Sequence, residues 1–270
     1  MVTVEIIAVG NELLLGDVLD TNTNWLCKKI TGLGGQVKRA AIIGDDLQAI
    51  AHEIRSAMDR KADVVFTTGG LGPTADDMTL EGVARAAASP LELNDEALAL
   101  VKAKYEELAG KGYVEDAAMT EARRKMAFLP QGARAISNPV GAAPASILKA
   151  NSSLIISLPG VPAELKGIFE GPLQPILKEI FGESVFIEKL LVIDCGDESL
   201  LAPMLKEIAE ANLEVYVKSR AKTFGPRVRF RITLSMAGSD RGEVEGAINK
   251  ALKDLERALD SAHIPIESIE

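Results

Sequence analysis

Apolar and polar positions follow two alternating patterns in the first half of the chain. Apolar runs with few charges, typical of strands buried on both faces, occupy residues 4–9, 37–43 and 63–68. Helical periodicity follows the first two of these runs, over residues 23–33 and 47–60. This strand–helix–strand order predicts a parallel sheet that is covered by helices on both faces.

Further helices and strands follow the third apolar run. The predicted helices cover residues 79–88, 95–109, 119–127 and, as a closing element, 171–182. The predicted strands cover residues 133–136, 146–149 and 154–158. Two segments rich in proline and glycine, 138–144 and 159–162, are predicted to be turns.

Beyond residue 171 the order of elements changes. The predicted order is strand, helix, strand, strand, helix, over residues 186–192, 199–211, 214–220, 228–236 and 242–261. This β-α-β-β-α order is typical of a small α+β domain with one sheet and helices on one face. We therefore predict two domains, residues 1–170 and 171–270.

Composition excludes several classes of protein. The 270 residues contain no apolar run near the ~18 residues that cross a bilayer, and we expect a cytoplasmic protein without membrane association. Cys27 and Cys195 are far apart, which argues against a disulfide framework and a structural zinc site. With only two histidines, any metal is expected to have oxygen ligands. The net charge of −9 makes nucleic acid an improbable partner.

A glycine-rich turn follows the third strand and opens a helix, in the sequence Thr67-Thr-Gly-Gly-Leu-Gly-Pro-Thr-Ala-Asp-Asp-Met-Thr79. Glycines let the backbone approach a ligand closely, and a helix N-terminus offers free N–H groups, so we expect a phosphate here. The turn is neither a Walker A loop nor a GxGxxG fingerprint. Because Asp76 and Asp77 would repel a phosphate, we expect a divalent metal between the aspartates and the phosphate.

Three acidic residues follow three different strands of the predicted sheet. Glu12 follows the first strand, Asp45 the second and Asp77 the third. Because the carboxyl ends of parallel strands open on one edge of a sheet, these residues are predicted to converge as metal ligands and catalytic groups.

Structural alternatives remain for each of these features. Asp45 or Asp46 could cap the following helix, and Asp76 with Asp77 could form a capping pair. Glu12 could be an exposed loop acid, and the glycine-rich segment could be a structural turn without a ligand.

Five ordered motifs resemble the competence/damage-inducible protein CinA family. They are Ala8-Val-Gly-Asn-Glu-Leu-Leu14, Asp20-Thr-Asn-Thr-Asn-Trp-Leu26, Thr68-Gly-Gly-Leu-Gly-Pro-Thr-Ala-Asp-Asp-Met-Thr79, Asn138-Pro-Val-Gly141 and Leu158-Pro-Gly-Val-Pro-Ala-Glu-Leu165. The resemblance implies a three-layer α/β/α sandwich of the molybdopterin-binding-domain type, followed by a small KH-like α+β domain. The deamidase domain that ends full-length CinA has no counterpart in the motifs, and we do not expect that activity.

The same resemblance implies metal-dependent hydrolysis of ADP-ribose to AMP and ribose 5-phosphate, with Mg, Mn or Co as the cation. Its ligand would be ADP-ribose, an FAD-like dinucleotide or molybdopterin, and its assembly a homodimer or homotrimer. Glu12, Asp45 and Asp77 would be the catalytic and metal-binding residues. The implied ligand-binding residues are Gly10, Asn11, Gly69, Gly70, Leu71, Gly72, Pro73, Thr74, Asp76, Thr79, Asn138, Gly141, Pro159 and Gly160.

A basic strand marks the second domain. Residues 218–231 contain six basic and no acidic side chains, and Arg229 and Arg231 are predicted to share the strand face opposite Val228, Phe230 and Ile232. This face could bind RNA, or it could be a solvated face or a subunit contact. Because the segment lacks the GxxG loop with which KH modules hold RNA, we favour the second interpretation.

The leading hypothesis is a nucleotide pyrophosphatase that uses a divalent metal. The alternative is a non-catalytic pterin- or nucleotide-binding module that acts through oligomerisation.

Overall fold

The apolar runs in the first half of the chain form the strands of one sheet. In the computed structural model, which describes residues 1–221 and 229–270, one unit comprises residues 1–30 and 35–181. Its strands are β1 (Thr3–Val9), β2 (Gln36–Ile43), β3 (Val64–Thr68), β4 (Leu91–Leu93), β5 (Phe128–Pro130), β6 (Arg134–Ile136), β7 (Ala145–Ala150) and β8 (Ser153–Leu158). The helices along this stretch are α1 (Asn11–Leu14), α2 (Thr21–Gly32), α3 (Leu47–Asp59), α4 (Thr79–Ala86), α5 (Asp95–Gly110), α6 (Glu121–Lys125), α7 (Pro162–Glu170) and α8 (Gln174–Phe181).

The main sheet has the strand order β2-β1-β3-β8-β7-β6. Strands β2, β1, β3 and β8 run parallel to one another, which confirms the predicted parallel sheet. Strands β7 and β6 are antiparallel additions at one edge. The two-residue connection between β7 and β8 forces this antiparallel pairing, and Asn151 in that turn adopts a positive φ of 53°.

Helices cover both faces of this sheet, which confirms the three-layer α/β/α sandwich. Side chains of β1 and β3 such as Ile7 and Val65 pack with Ile50 and Val83 of α3 and α4 in one buried cluster. On the opposite face, Phe66 of β3 contacts Phe169 of α7, with ring centroids 6.2 Å apart. The alternation of strand side chains sends neighbouring residues of β3 to these two different layers.

Several local predictions in this unit were wrong. Strands β4 and β5 form a small separate ladder that was not predicted, and β5 shortens the helix expected over 119–127 to Glu121–Lys125. The turn expected at 159–162 leads directly into α7, because Pro162 occupies the first helical position, where its missing N–H costs no hydrogen bond.

The boundary between the two units lies between residues 181 and 182, beyond the boundary expected near 171. The closing helix expected over 171–182 is α8, and it belongs to the first unit. Leu173 and Leu177 are fully buried there, so this segment is part of the first core and not a linker.

The second unit comprises residues 31–34 and 182–270. It contains β9 (Val185–Asp194), α9 (Glu198–Ala211), β10 (Tyr216–Ala221), β11 (Arg229–Gly238), α10 (Arg241–Ser261) and β12 (Ile266–Ile269). Its antiparallel sheet has the order β10-β11-β9-β12. Both helices contribute to one buried cluster with alternate residues of β9 and β11, as expected for an α+β unit, and β12 adds a strand that was not predicted.

The basic strand has the predicted two faces. Phe230 and Ile232 are buried, whereas Arg229 and Arg231 are exposed. These arginines pair with acidic residues of the unpredicted last segment, Arg229 with Glu267 at 2.9 Å and Arg231 with Glu270 at 3.8 Å. The face is therefore partly neutralised. Val228, together with the basic side chains Lys222 and Arg227, lies outside the described residues.

No helix within residues 1–221 and 229–270 is both long and apolar enough to span a bilayer.

An ion pair between a buried carboxylate and a partly exposed guanidinium links β1 to the end of α3. Glu5, whose side chain is 5% exposed, accepts hydrogen bonds from Arg60 at 2.9 and 2.7 Å. Arg60 also reaches Glu53 at 2.8 Å, and the bonds to the two carboxylates raise the pKa of the guanidinium. The Arg60 guanidinium supplies the hydrogen-bond donors that the buried Glu5 carboxylate needs.

Replacing Arg60 by alanine is expected to lower the free energy of unfolding of the first unit by about 3 kcal/mol, because Glu5 is left buried without its partner. Urea unfolding followed by the fluorescence of Trp25, the only tryptophan and part of α2, measures this loss. Arg85→Ala is the control: the Arg85–Glu81 pair is exposed, and its removal should cost less than about 1 kcal/mol. If both variants lose the same free energy of unfolding, the burial of Glu5 does not determine the cost of removing its partner.

Candidate active site

A cavity of about 540 Å³ opens at the carboxyl ends of the parallel strands. The loops that follow β1, β2, β3 and β8 all contribute to its walls, together with side chains from α5 and the segment after α6. It is lined by Val9, Gly10, Glu12, Asp45, Gly69, Gly70, Leu71, Gly72, Pro73, Asp76, Asp77, Tyr105, Met126, Ala142, Ala143, Pro159, Gly160, Val161 and Glu164. Glycines and acids therefore share one cavity, with an apolar wall that includes Tyr105 and Met126.

Gly69 and Gly70 make the sharp turn that leaves β3. Both have positive φ, 94° and 66°, a conformation that favours glycine. A Cβ at Gly69 would lie 2.2 Å from the carbonyl oxygen of Val9, and one at Gly70 would lie 2.2 Å from Thr79 Oγ1. The Thr79 hydroxyl is buried and has no hydrogen-bond partner among the described residues. The Val9 carbonyl and the Thr79 side chain thus occupy the space that side chains at Gly69 and Gly70 would need, and these two residues give the cavity bare main chain.

Asp77 is held by the turn that it closes. Its Oδ2 accepts hydrogen bonds from the Thr74 backbone N–H at 2.8 Å and from the Thr74 hydroxyl at 2.6 Å. A Cβ at Gly72 would lie 2.6 Å from the same oxygen, so the carboxylate rests directly on that glycine. The proposed capping pair was wrong, because the residue that precedes α4 is Met78 and no side chain caps the helix.

Asp76 points to the same hydroxyl. Its Oδ1 lies 2.5 Å from Thr74 Oγ1, and this hydrogen bond is the main reason that the pKa of Asp76 is below its usual value. Lys125 of α6 braces the turn from outside by donating to the carbonyl oxygens of Thr74 and, at 2.7 Å, Asp77. Sequence reasoning missed Lys125, which is far from the motif along the chain.

Asp45 is locked to the first loop by two reciprocal hydrogen bonds. Its Oδ2 accepts from the Asn11 backbone N–H at 2.8 Å, and Asn11 Oδ1 accepts from the Asp45 N–H at 3.1 Å. Asp46, and not Asp45, caps α3, since its carboxylate accepts from the Ala49 N–H at 2.7 Å. The capping alternative is therefore confirmed for Asp46 and wrong for Asp45.

Glu12 lies in the first turn of α1 and is exposed. A Cβ at Gly10 would meet its carboxylate oxygens at 2.4 and 2.5 Å, so this side chain folds back over the glycine. Its carboxylate accepts no hydrogen bond from the described residues, unlike those of Asp45 and Asp77.

Glu164, in the first turn of α7, is a fifth carboxylate on the cavity wall, and the sequence analysis did not single it out. Its Oε2 accepts from Asn138 Nδ2 at 2.7 Å. Burial raises the pKa of Glu164, and the Asn138 bond and the charge of Lys104 act in the opposite direction. A Cβ at Gly141 would lie 2.2 Å from its Cδ, so this carboxylate also occupies space beside a glycine.

The turn before α7 is tied to the rest of the site by Asn22. Asn22 belongs to α2, and its Nδ2 donates to the Gly160 carbonyl oxygen at 2.7 Å. Gly160 in turn lies close to Gly69. A Cβ on Gly160 would be 3.3 Å from the Gly69 Cα atom. Two glycines from loops distant in sequence therefore meet at the cavity floor.

The structure separates the expected site residues into two groups. Those that line the cavity are Gly10, Glu12, Asp45, Gly69, Gly70, Leu71, Gly72, Pro73, Asp76, Asp77, Pro159 and Gly160. Those that lie behind its walls and hold or adjoin lining residues are Asn11, Thr74, Thr79, Asn138 and Gly141.

The acids suit a hard cation by their oxygen donors, but they do not form a preassembled metal cage. Within residues 1–221 and 229–270 no three histidine, cysteine or carboxylate side chains are placed so that they could hold a metal ion together. Mg²⁺ commonly binds through one or two carboxylates plus substrate phosphates and water. The donor set therefore fits a cation that binds together with a phosphate ligand.

Comparison with known proteins assigns the family. The family described as "probable molybdopterin binding domain" matches residues 5–179, the part of the chain that builds the cavity. The chain belongs to this molybdopterin-binding-domain family. Among solved structures, the protein CinA from Thermoplasma acidophilum, described as of unknown function, is 36% identical with a TM-score of 0.58, and the match covers 65% of this chain and 98% of that chain.

Archaeal relatives match the chain over nearly its full length. A protein from Aeropyrum pernix is 44% identical over 255 residues, which are 93% of this chain and 90% of the relative. A protein from Pyrococcus horikoshii is 40% identical over 225 residues, 83% of this chain and 86% of the relative. The similarity thus includes the second unit, beyond the molybdopterin-binding-domain family match.

Gly69→Ala is expected to destabilise the first unit by about 3 kcal/mol, because the new side chain needs both a left-handed backbone and the space of the Val9 carbonyl. Gly112→Ala is a matched control, since Gly112 also has a positive φ (72°) but open space around it, and it should cost about 1 kcal/mol. Urea unfolding followed by Trp25 fluorescence compares them. If both variants lose the same stability, the close approach at Gly69 is not a packing constraint.

Proposed function

We propose that the protein hydrolyses a nucleotide pyrophosphate in a metal-dependent reaction, with ADP-ribose converted to AMP and ribose 5-phosphate. The observation that carries this proposal is that Glu12, Asp45 and Asp77 line the same cavity as the bare backbone of Gly69, Gly70 and Gly72. Exposed glycine backbone and carboxylates in one cavity suit a ligand that carries phosphate groups together with a cation.

The glycine-rich turn would bind the pyrophosphate. Backbone N–H groups near the start of α4 lie at the positive end of the helix dipole, which favours an anion. Because the turn is braced by Thr74 and Lys125, its groups are already in position before a ligand binds, which is the arrangement that stabilises developing negative charge most effectively.

Asp45 and Asp77 would hold the divalent cation. Each uses one carboxylate oxygen, Oδ2, for a backbone N–H, which leaves Oδ1 for a metal. When bound, Mg²⁺, Mn²⁺ or Co²⁺ would polarise the phosphoryl oxygens and neutralise the charge that otherwise separates phosphate from these aspartates.

Glu12 would accept the proton of the attacking water. Its carboxylate is exposed and bears no hydrogen bond from the described residues, so its lone pairs are available for a water molecule. The water oxygen forms a bond to one phosphorus, the bridging P–O bond breaks, and the proton passes to Glu12 while the second phosphate leaves. One water is consumed, and AMP and ribose 5-phosphate are the products.

The second candidate is a pterin- or nucleotide-binding module without catalysis, acting as a homo-oligomer. The family match, whose description names molybdopterin binding, favours it, and so does the apolar cavity wall of Tyr105 and Met126, which suits a flat ring.

Incubation of the protein with ADP-ribose and Mg²⁺, Mn²⁺ or Co²⁺ is expected to release AMP, and EDTA is expected to stop the release. Glu12→Gln should lower kcat about 100-fold, because the general base is lost, with little change in AMP binding. Asp77→Asn should reduce the rate to a similar extent and raise the metal concentration needed for half-maximal activity.

Asp46→Asn is the matched control, because it changes a carboxylate adjacent to Asp45 that only caps α3, and asparagine caps helices equally well. Its activity should equal that of the wild type. Binding of ADP-ribose without AMP release under every metal would overturn the hydrolase proposal in favour of the binding module.

A further inference from the structure

Of the five carboxylates that line the cavity, the proposed reaction leaves Asp76 and Glu164 without a role. Glu164 lies in the first turn of α7, is half-buried and lines the cavity. Placing a carboxylate in a partly dry wall is unfavourable unless hydrogen-bond donors satisfy its oxygens. Among the described residues only Asn138 donates to it, and that bond occupies Oε2.

Asn138 fixes both the position of Glu164 and the direction of this hydrogen bond. Its Oδ1 accepts from the N–H groups of Val140 at 3.0 Å and Gly141 at 2.8 Å. Its Nδ2 donates to the Ala143 carbonyl at 2.9 Å and to Glu164 at 2.7 Å. All four hydrogen-bonding positions of the amide are used, so Asn138 cannot rotate to serve a ligand itself. It therefore acts as a rigid support for the carboxylate.

The Glu164 carboxylate lines the same cavity as the glycine floor. Gly160 approaches Gly69 at that floor, and α7 begins two residues after Gly160. Glu164 lies in the first turn of α7, with its carboxylate against Gly141 and Asn138. The lining also includes the small side chains of Ala142 and Ala143. A carboxylate among small side chains suits a polar group of a bound ligand.

In a nucleotide the group attached to the phosphate is the ribose. We propose that Glu164 accepts hydrogen bonds from the two neighbouring hydroxyl groups of a ribose ring and thereby selects ribonucleotides; this rests on the proposed nucleotide site. Oε1 is open for one hydroxyl, and Oε2 retains a lone pair for the other. A carboxylate that binds ribose hydroxyls is also the solution used by dinucleotide-binding folds. The same oxygens could accept from two N–H groups of a heterocycle, and the experiment separates the two sources.

The binding of AMP and 2′-deoxy-AMP to the protein, measured by calorimetry with and without Mg²⁺, tests this assignment. The wild type should bind AMP about tenfold more tightly than 2′-deoxy-AMP, as expected for the loss of a hydrogen bond to a charged group. Glu164→Gln can no longer accept hydrogen bonds from both hydroxyls, so it should bind AMP about tenfold more weakly, whereas 2′-deoxy-AMP, which offers only the 3′ hydroxyl, should be weakened by a smaller factor. A purely structural role would weaken both ligands equally and would overturn the proposal.

A second variant tests the position of the Glu164 carboxylate without changing its charge. Gly141→Ala places a Cβ where the Glu164 carboxylate lies, so it should displace the carboxylate and also abolish the preference for AMP. If Glu164→Gln does not fold, as judged by Trp25 fluorescence, this variant decides the question. Retention of the preference in Gly141→Ala would contradict the assignment.

Purine riboside monophosphate, which lacks the 6-amino group of AMP, identifies the source of the donors. It should behave as AMP does in the wild type and in Glu164→Gln. If the Glu164-dependent affinity instead disappears with the amino group, the carboxylate contacts the ring and the ribose assignment is wrong. AMP binding that shows the preference without any turnover of ADP-ribose would overturn the hydrolase and leave the ribose assignment standing, whereas no AMP binding to the wild type would overturn the assignment.

Discussion

The close packing of carboxylates against glycine Cα atoms is the constraint on which the site depends. Glu12 lies over Gly10, Asp77 over Gly72 and Glu164 over Gly141, and in each pair a Cβ would be within 2.6 Å of a carboxylate atom. Asp45 depends on a glycine indirectly. Asn11, which holds Asp45, occupies the space beside Gly44. A side chain on any of these glycines would therefore move an acid.

This arrangement explains why the functional groups need a second set of residues behind them. A carboxylate on a bare backbone has no side-chain neighbours to hold it, so hydrogen bonds must do so. Asn11 bonds to Asp45, Thr74 to Asp76 and Asp77, and Asn138 to Glu164, and none of these three supporting residues lines the cavity. The side-chain oxygens of Asn11 and Asn138 also accept hydrogen bonds from backbone N–H groups, which limits Asp45 and Glu164 to a narrow range of positions. The Glu12 carboxylate has no such hydrogen bond, so its side chain is the one that can adjust its position when it takes up a proton.

Sequence reasoning could predict the parts of this site that follow from local order along the chain. Three strands, each followed by a loop with an acid, sufficed to place Glu12, Asp45 and Asp77 on one edge, because adjacent parallel strands share their carboxyl ends. The sandwich itself followed from the same alternation. Local order contains no information on Lys125, which meets the glycine-rich turn only through the packing of α6.

Glu164 escaped prediction for a non-local reason. Its loop reaches the cavity only because β8 pairs in parallel with β3, although β7, its neighbour in sequence, is antiparallel to β8. That pairing joins residues 64–68 to residues 154–158 and cannot be read from the pattern of either strand alone. Helix α7 was not predicted for a related reason. The local sequence of a turn with two prolines and a glycine does not show whether a helix or a loop follows it. The parallel pairing of β8 with β3 therefore brings a further wall and a fifth acid to the cavity.

The separation of the acids gives the site its chemical character. Asp45 is attached to the first loop and Asp77 to the glycine-rich turn, and no three potential ligands among the described residues can reach one metal ion. A cation in this site would therefore need further oxygen ligands from water or from a bound phosphate. Under the proposed function, a phosphate alone would meet the negative charge of the acids, and a cation alone would find too few protein ligands. The two together would satisfy both deficits, so the proposed function predicts cooperative binding of metal and phosphate and favours a ligand that carries its own phosphate oxygens.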